Sequence, residues 1–201
     1  MSPLPEDEHE RLLVEQARSD VEAFRELYRM YFPRVYRYVA YRLSSVSEVE
    51  DIVSEVFLRS IEKIRSFRYQ GPGSFAAWLF AIAHNLVIDS HRRKWRSMVK
   101  LDDANKLDDI SLPPDLIAVR NEESRQLYQA LRTLSKRRQE VIGLRFFGGL
   151  RNQEIALVLG IGERAVASHL SRGLRDLHVY LQSEISTASK EHEYGQLAKA
   201  E

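Results

Sequence analysis

The stretch "NQEIALVLGIGERAVASHLSRGLRDL", Asn152 to Leu177, decides the reading of this chain. Small Ala156, then Gly160 four residues on, then Val166, occupy the small-residue, turn and packing positions of a helix-turn-helix. Gly160 ends the first helix and lets the chain bend. In the following helix Val166, Leu170, Leu174 and Leu177 recur at helical spacing and are expected to pack inward, leaving Arg164, Ser168, Ser171, Arg172 and Arg175 outward. Arginine reaches guanine edges or phosphate and serine reaches either, so this helix suits a major groove. The competing reading is a plain helical hairpin, and the local charge argues against it.

The net charge of +1 hides that local charge. Residues 123–182 carry 10 basic and 5 acidic side chains, whereas residues 98–122 carry 3 and 6. The acidic segment, "LDDANKLDDISLPPD", holds adjacent Pro113 and Pro114 and little apolar content, so it reads as a linker. Residues 1–97 are balanced, with 15 basic and 14 acidic. The expected fold is therefore all-α: two small helical domains joined by a flexible acidic linker, the second containing the helix-turn-helix. The expected boundaries are 1–97, a linker at 98–122, 123–182, and a disordered tail at 183–201.

A chain of 201 residues, 44% hydrophobic, can bury a core in each of two such units. No run approaches the eighteen or so apolar residues of a membrane span, and the acidic start, Met1 to Asp20, lacks the features of an export signal. Without cysteine there is no disulfide framework, thiolate metal site or thiol redox chemistry, in keeping with a cytoplasmic location.

In the first domain, "EVEDIVSEVFLRSIEKI" repeats Val49, Val53, Val56, Phe57, Ile61 and Ile64 at threes and fours, the spacing of one buried face. Glu48, Asp51, Glu55 and Glu62 form an acidic stripe opposite, with Leu58 exposed at its edge. This is either a solvated face or a docking surface for a basic helix. Upstream, "AFRELYRMYFPRVYRYVAYRL" has helical spacing on both sides of Pro33, which is expected to open a second helix at its first turn. Its tyrosines, set among arginines, either stack on bases or, the favoured reading, are core residues with wet hydroxyls.

Downstream lies "FRYQGPGSFAAWLFAIAHNLVIDSHRRKWR", Phe67 to Arg96. Ser74 is the expected N-cap, and Phe75, Leu79, Ile82 and Leu86 the buried stripe. About a quarter turn away, Trp78, Asn85, Arg92 and Arg96 gather in one band that offers stacking, base-edge hydrogen bonds and phosphate contact. The loop before it, with Tyr69, Gln70 and Gly71, is light enough to wrap an unstacked base. The alternative is a partly buried tryptophan and a solvated basic helix end. His84 and His91 lie about 10 Å apart along a helix, too far to share a zinc ion. No catalytic constellation or cofactor motif stands out.

The ordered set of segments resembles a bacterial sigma factor of the extracytoplasmic-function (group four) family, from "FRELYRMYFPRVYRYVAYRL" through "SFAAWLFAIAHNLVIDSHRR" to "LSKRRQEVIGLRFFGGLRNQEIALVLGI". The resemblance covers residues near 20 to 182. It implies transcription initiation without catalysis. Asp51, Glu55 and Leu58 would dock on the β′ coiled coil of core RNA polymerase. Tyr69, Gln70, Gly71, Trp78, Asn85, Arg92, Arg93 and Arg96 would open the minus-ten element and capture a flipped base. Arg164, Ser168, Ser171, Arg172 and Arg175 would read the minus-thirty-five element, and an anti-sigma factor is an expected partner. The chain departs from the family's usual residues at Arg151, Gly162, Arg164, Ala165, Ala167 and His169, so its upstream preference does not carry over from relatives. The rival class is a stand-alone helix-turn-helix regulator.

Overall fold

The computed structural model describes residues 6–99 and 122–197, with side-chain surroundings for 7–96 and 126–183. The described residues form helices and connecting turns, without strand. The first unit is α1 (Glu6–Gln16), α2 (Val21–Arg42), α3 (Val46–Lys63) and α4 (Ser74–Val99). The second is α5 (Glu122–Thr133), α6 (Lys136–Ile142), a π turn (Gly143–Phe147), α7 (Asn152–Leu159) and α8 (Glu163–Leu197). Most of the acidic linker segment, 100–121, and the last four residues lie outside the described residues. Residues 183–197 of the expected tail continue the α8 backbone. Their Glu, Ala, Lys and Gln content favours helix.

Asp20 caps α2, its carboxylate accepting the Glu22 N–H at 2.8 Å. Pro33 does not start a new helix. It sits inside a single 22-residue α2. An interior proline costs roughly 3 kcal/mol. Pro33 and Arg29 both lie on the exposed side, where water can reach the carbonyl that loses its partner. The opposite side of α2 buries Leu27, Tyr31, Val35, Tyr38 and Val39 against the other helices, and that packing keeps the helix whole. Tyr31, Tyr38 and Tyr41 are core, with hydroxyls that are not wet, whereas Tyr28 is 38% exposed and Tyr36 half-buried. Tyr31 donates to Glu10, Tyr38 meets His84 Nδ1 at 3.0 Å, and Tyr41 donates to the Gln139 carbonyl at 3.4 Å.

Helix α3 buries Val49, Ile52, Val53, Val56 and Phe57, and Ile64 just past its end is buried too, but Ile61 is 42% exposed. The buried stripe passes through Ser60 instead, whose hydroxyl donates to the Phe57 carbonyl at 2.8 Å. Ile61 lies about 100° around the helix from Ser60, beyond the covered face. At the start of α4 the capping position is Gly73, whose carbonyl takes the Ala77 N–H at 2.9 Å. Ser74 is the first helical residue, and its hydroxyl accepts the Gln70 N–H at 3.1 Å, fastening the loop. Phe75, Leu79 and Leu86 are buried as expected; Ile82 is half-buried.

In the second unit Gly160 ends α7 in the left-handed conformation (φ 63°, ψ 36°), its N–H bonded to the Ala156 carbonyl. Val166 and Leu177 point inward and Leu170 is half-buried, but Leu174 is 42% exposed. Gly173 takes the inner place beside it, where a Cβ would come within 2.8 Å of Ile142. The close approach of α8 to α6 thus rests on a glycine, and Leu174 is turned outward.

The two units share buried surface. Val141, Leu144, Leu150, Ile155 and Val166 belong to the same apolar cluster as the cores of α2, α3 and α4. Tyr41 of α2 joins a smaller cluster with Tyr128, Leu131, Leu134 and Ile142. A unit the size of the second buries little apolar surface by itself, so a neighbouring apolar face is a natural complement.

Candidate nucleic-acid interface

Three exposed surfaces carry the residues singled out in the sequence. On α3, Asp51 and Glu62 are exposed and Leu58 is 53% exposed. Glu55 is half-exposed and accepts from Arg59 Nε at 2.6 Å. Glu48 leaves this stripe. Its carboxylate turns to Ser90 and Lys94 of α4, joining the first turn of α3 to the basic end of α4. Burial pushes the Glu48 carboxyl up, but hydrogen bonds from Lys94 and Ser90 bring it below the ordinary value. The acidic face is therefore Asp51, Glu55 and Glu62, with Leu58 and Ile61 as its apolar part.

The second surface runs along α4 and the loop before it. Asn85, Arg92, Arg93 and Arg96 are exposed, with Arg92 3.9 Å from Asp89. Trp78 is half-buried, its ring 4.8 Å from Phe67 and 5.5 Å from Phe75. Its ring contact with Phe67 ties the loop to the start of α4. Arg18 of the α1–α2 turn donates to the Phe67 carbonyl at 2.8 Å, and half-buried Tyr69 donates to the Asp7 carbonyl at 3.3 Å. Between these ties Gln70 is exposed, and Gly71 adopts φ 131°, a conformation open to glycine and few others. Trp95, 49% exposed among the arginines, was not singled out in the sequence. Its neighbours in the basic run were the signal.

The third surface is the outer face of α8, where Arg164, Ser168, Ser171, Arg172 and Arg175 are all exposed. Their steps of three and four keep them on one side of the helix. At the start of α7, Arg151 replaces a capping hydroxyl. Glu154 Oε2 accepts the Arg151 N–H at 2.8 Å, supplying the one half of a capping box that does not depend on the residue at that place. The Gly162 carbonyl accepts the N–H groups of Ala165 and Val166 in the first turn of α8, at 2.9 and 3.1 Å.

Behind the α4 band lies His84, buried and bonded to Tyr38. Burial first, then the Arg42 and Arg137 guanidiniums, lower its imidazole to about 4. The folded chain holds His84 neutral, whereas the unfolded chain takes up a proton near the ordinary value of 6.5. This contribution to stability is full above about pH 7 and falls as pH drops from 6.5 towards 4, by up to roughly 3 kcal/mol. Urea unfolding at successive pH values should show that loss, with a flatter slope in His84→Gln, whose amide can still meet Tyr38.

Comparison with known proteins places the chain in a family. Residues 27–97 match Sigma-70 region 2 and residues 124–177 match Sigma-70, region 4. The chain is 37% identical to the ECF RNA polymerase sigma factor BldN of Streptomyces coelicolor over 168 residues, 82% of this chain and 63% of that protein. It is 31% identical to the ECF RNA polymerase sigma factor SigX of Bacillus subtilis, over 80% of this chain and 84% of that one. Its fold is that of CnrH, solved in complex with the cytosolic domain of CnrY (TM-score 0.65, 23% identity, 87% of this chain and 98% of that one). It is likewise that of the sigma factor RpoE solved with the anti-sigma factor NepR from Bartonella quintana (TM-score 0.63, 21% identity, 81% and 98%). The chain belongs to the ECF family of RNA polymerase sigma factors.

Proposed function

We propose that this chain binds core RNA polymerase and directs it to promoters, without catalysis of its own. The observation that carries the reading is that two separate DNA-suited faces, the α4 band and the α8 face, stand exposed on one chain in the order of Sigma-70 regions 2 and 4. The α3 face of Asp51, Glu55 and Leu58 docks on the β′ coiled coil. The loop at Tyr69, Gln70 and Gly71, with Trp78 and Asn85, holds single-stranded minus-ten DNA, and Arg92, Arg93 and Arg96 neutralise its phosphates. The α8 face reads the minus-thirty-five duplex. The proposed domains are 1–97 and 123–182, and the proposed site of action is the cytoplasm. No described helix is long and apolar enough to cross a membrane. One solved protein of the same fold is bound to the anti-sigma factor NepR and another to the cytosolic domain of CnrY, and an anti-sigma partner is proposed here on that likeness. That the named relatives are sigma factors favours this reading over a stand-alone regulator.

Pull-down of the full chain with core RNA polymerase tests the docking. Division of labour between the DNA faces is tested by Asn85→Ala: permanganate reactivity of the promoter bubble should fall severalfold while the upstream footprint persists. Loss of the footprint with melting intact would mean that the two faces are wrongly assigned.

A further inference from the structure

Trp95 stands 49% exposed near the basic end of α4, outside the band that Trp78, Asn85, Arg92 and Arg96 form. Single apolar residues on a surface are ordinary, so the surroundings of this one decide its meaning. Arg92, Arg93 and Arg96 are all exposed within a turn of it. Lys94, the remaining cation of the run, is withdrawn. It is half-buried, and its ammonium donates to Glu48 of α3, whose carboxylate also accepts from the buried Ser90 hydroxyl. These two bonds fix the rotation of the last described turns of α4. Trp95 follows Lys94 by about 100° around the axis and is thereby turned off the side that meets α3.

Trp95 also ends a line of its own. Ile88 lies seven residues before it and Ala81 seven before that, both half-buried. Seven residues make nearly two turns, so the three form an apolar strip along the helix. About 60° around the axis from that strip runs the polar line of Asn85 and Arg92, both exposed and also seven apart. A single-stranded nucleic acid carries the matching division, with apolar base faces beside a chain of phosphates. Trp78 has its ring packed on Phe67 and Phe75, whereas the Trp95 ring is available. The two tryptophans are about 25 Å apart along the helix, the length of roughly seven stacked bases at 3.4 Å each. One base cannot meet both rings.

We propose that Trp95 is a second stacking platform of the α4 surface, on which an unpaired base of the opened promoter rests while Arg92 and Arg96 hold the phosphates beside it. This rests on the sigma-factor reading above and adds a base position that Trp78 and the loop do not reach. The platform takes any base, because every base has a π face. It favours single strands, because paired bases in a duplex are already stacked on each other. Its contribution is therefore to hold DNA open rather than to read sequence.

The chain has two tryptophans, so Trp78→Phe leaves Trp95 as its one indole. Titrating that full chain with a short oligothymidylate should quench most of the tryptophan fluorescence, and an A·T duplex of the same length should quench it little. With Trp78 in place, Trp95→Ala should weaken oligothymidylate binding about tenfold, and Trp95→Phe should stay close to the parent. Neither should change duplex affinity. Salt dependence separates stacking from charge: Trp95→Ala should lower affinity at every salt concentration with an unchanged slope, whereas Arg93→Ala should flatten the slope by about 0.7. Bound oligothymidylate without quenching, an equal loss on the duplex, a flattened slope in Trp95→Ala, or a phenylalanine variant as weak as the alanine one would each overturn the platform. All of these leave the sigma-factor reading standing. A parent that does not bind oligothymidylate would overturn the platform as well, while only failure of the full chain to be retained by core RNA polymerase would defeat the sigma-factor reading.

Discussion

Leu58→Ala combined with Glu55→Lys should lower affinity for core RNA polymerase by roughly a hundredfold while leaving the helical content unchanged. Leu58 is more than half exposed on a face whose neighbours Asp51 and Glu62 are acidic, so the isolated fold loses little when it is shortened. At the centre of a docking surface the same truncation removes an apolar anchor worth about 1–2 kcal/mol. Reversing Glu55 sets a cation against a basic partner and adds about another 1–2 kcal/mol. Within α3 the reversal replaces the Glu55–Arg59 pair by two like charges four residues apart, which costs only about half a kcal/mol. Together the interface terms correspond to about two decades of affinity. Surface-immobilised core polymerase titrated with the double variant measures it. Unchanged affinity would remove the α3 face from the docking site.

Arg172→Ala should reduce discrimination between a matched upstream duplex and a scrambled one by about tenfold, with a much smaller loss on the scrambled sequence. Arg172 is exposed at the middle of the α8 face, between Ser168 and Arg175. One bidentate arginine on guanine is worth about 1–3 kcal/mol of discrimination. With Ala167 and His169 standing where the family often has cations, the face is expected to make few phosphate contacts, each steepening the salt slope by somewhat under one unit. Restoring a cation through Ala167→Lys should therefore raise affinity for both duplexes with little gain in selectivity. Salt titration of the full chain on the two duplexes separates these effects. Equal weakening of both by Arg172→Ala would make that residue a phosphate contact and move base readout to Arg164 or Ser168.

The legible parts of this molecule are those governed by local period. Val49, Val53 and Val56 on α3, Phe75, Leu79 and Leu86 on α4, and Val166 and Leu177 on α8 are buried where their spacing placed them. The outward residues of α8 are all exposed, because a helix that buries one stripe must show the opposite one. Gly160 was legible as a turn because a left-handed residue after a short apolar helix favours glycine. The misread positions are those where a neighbouring element competes for the same surface. Ile61 and Leu174 are apolar and correctly spaced, yet Ser60 and Gly173 occupy the close-packed positions beside them, because small residues allow tight approach there. Glu48 looked like part of a solvated stripe until Lys94 and Ser90, more than 40 residues away, came within hydrogen-bond reach.

Helix type, the helix-turn-helix and the segregation of basic charge were thus contained in the chain's own order of residues, since each depends on neighbours within a few positions. The continuous α2 through Pro33, the inward hydroxyls of Tyr31, Tyr38 and Tyr41, and the buried surface shared by the two units arise only in three dimensions. The physical reason is common to all three. Packing free energy gained between distant segments outweighs the local cost of an interior proline or a buried polar group, and no local period records which distant segment will supply it.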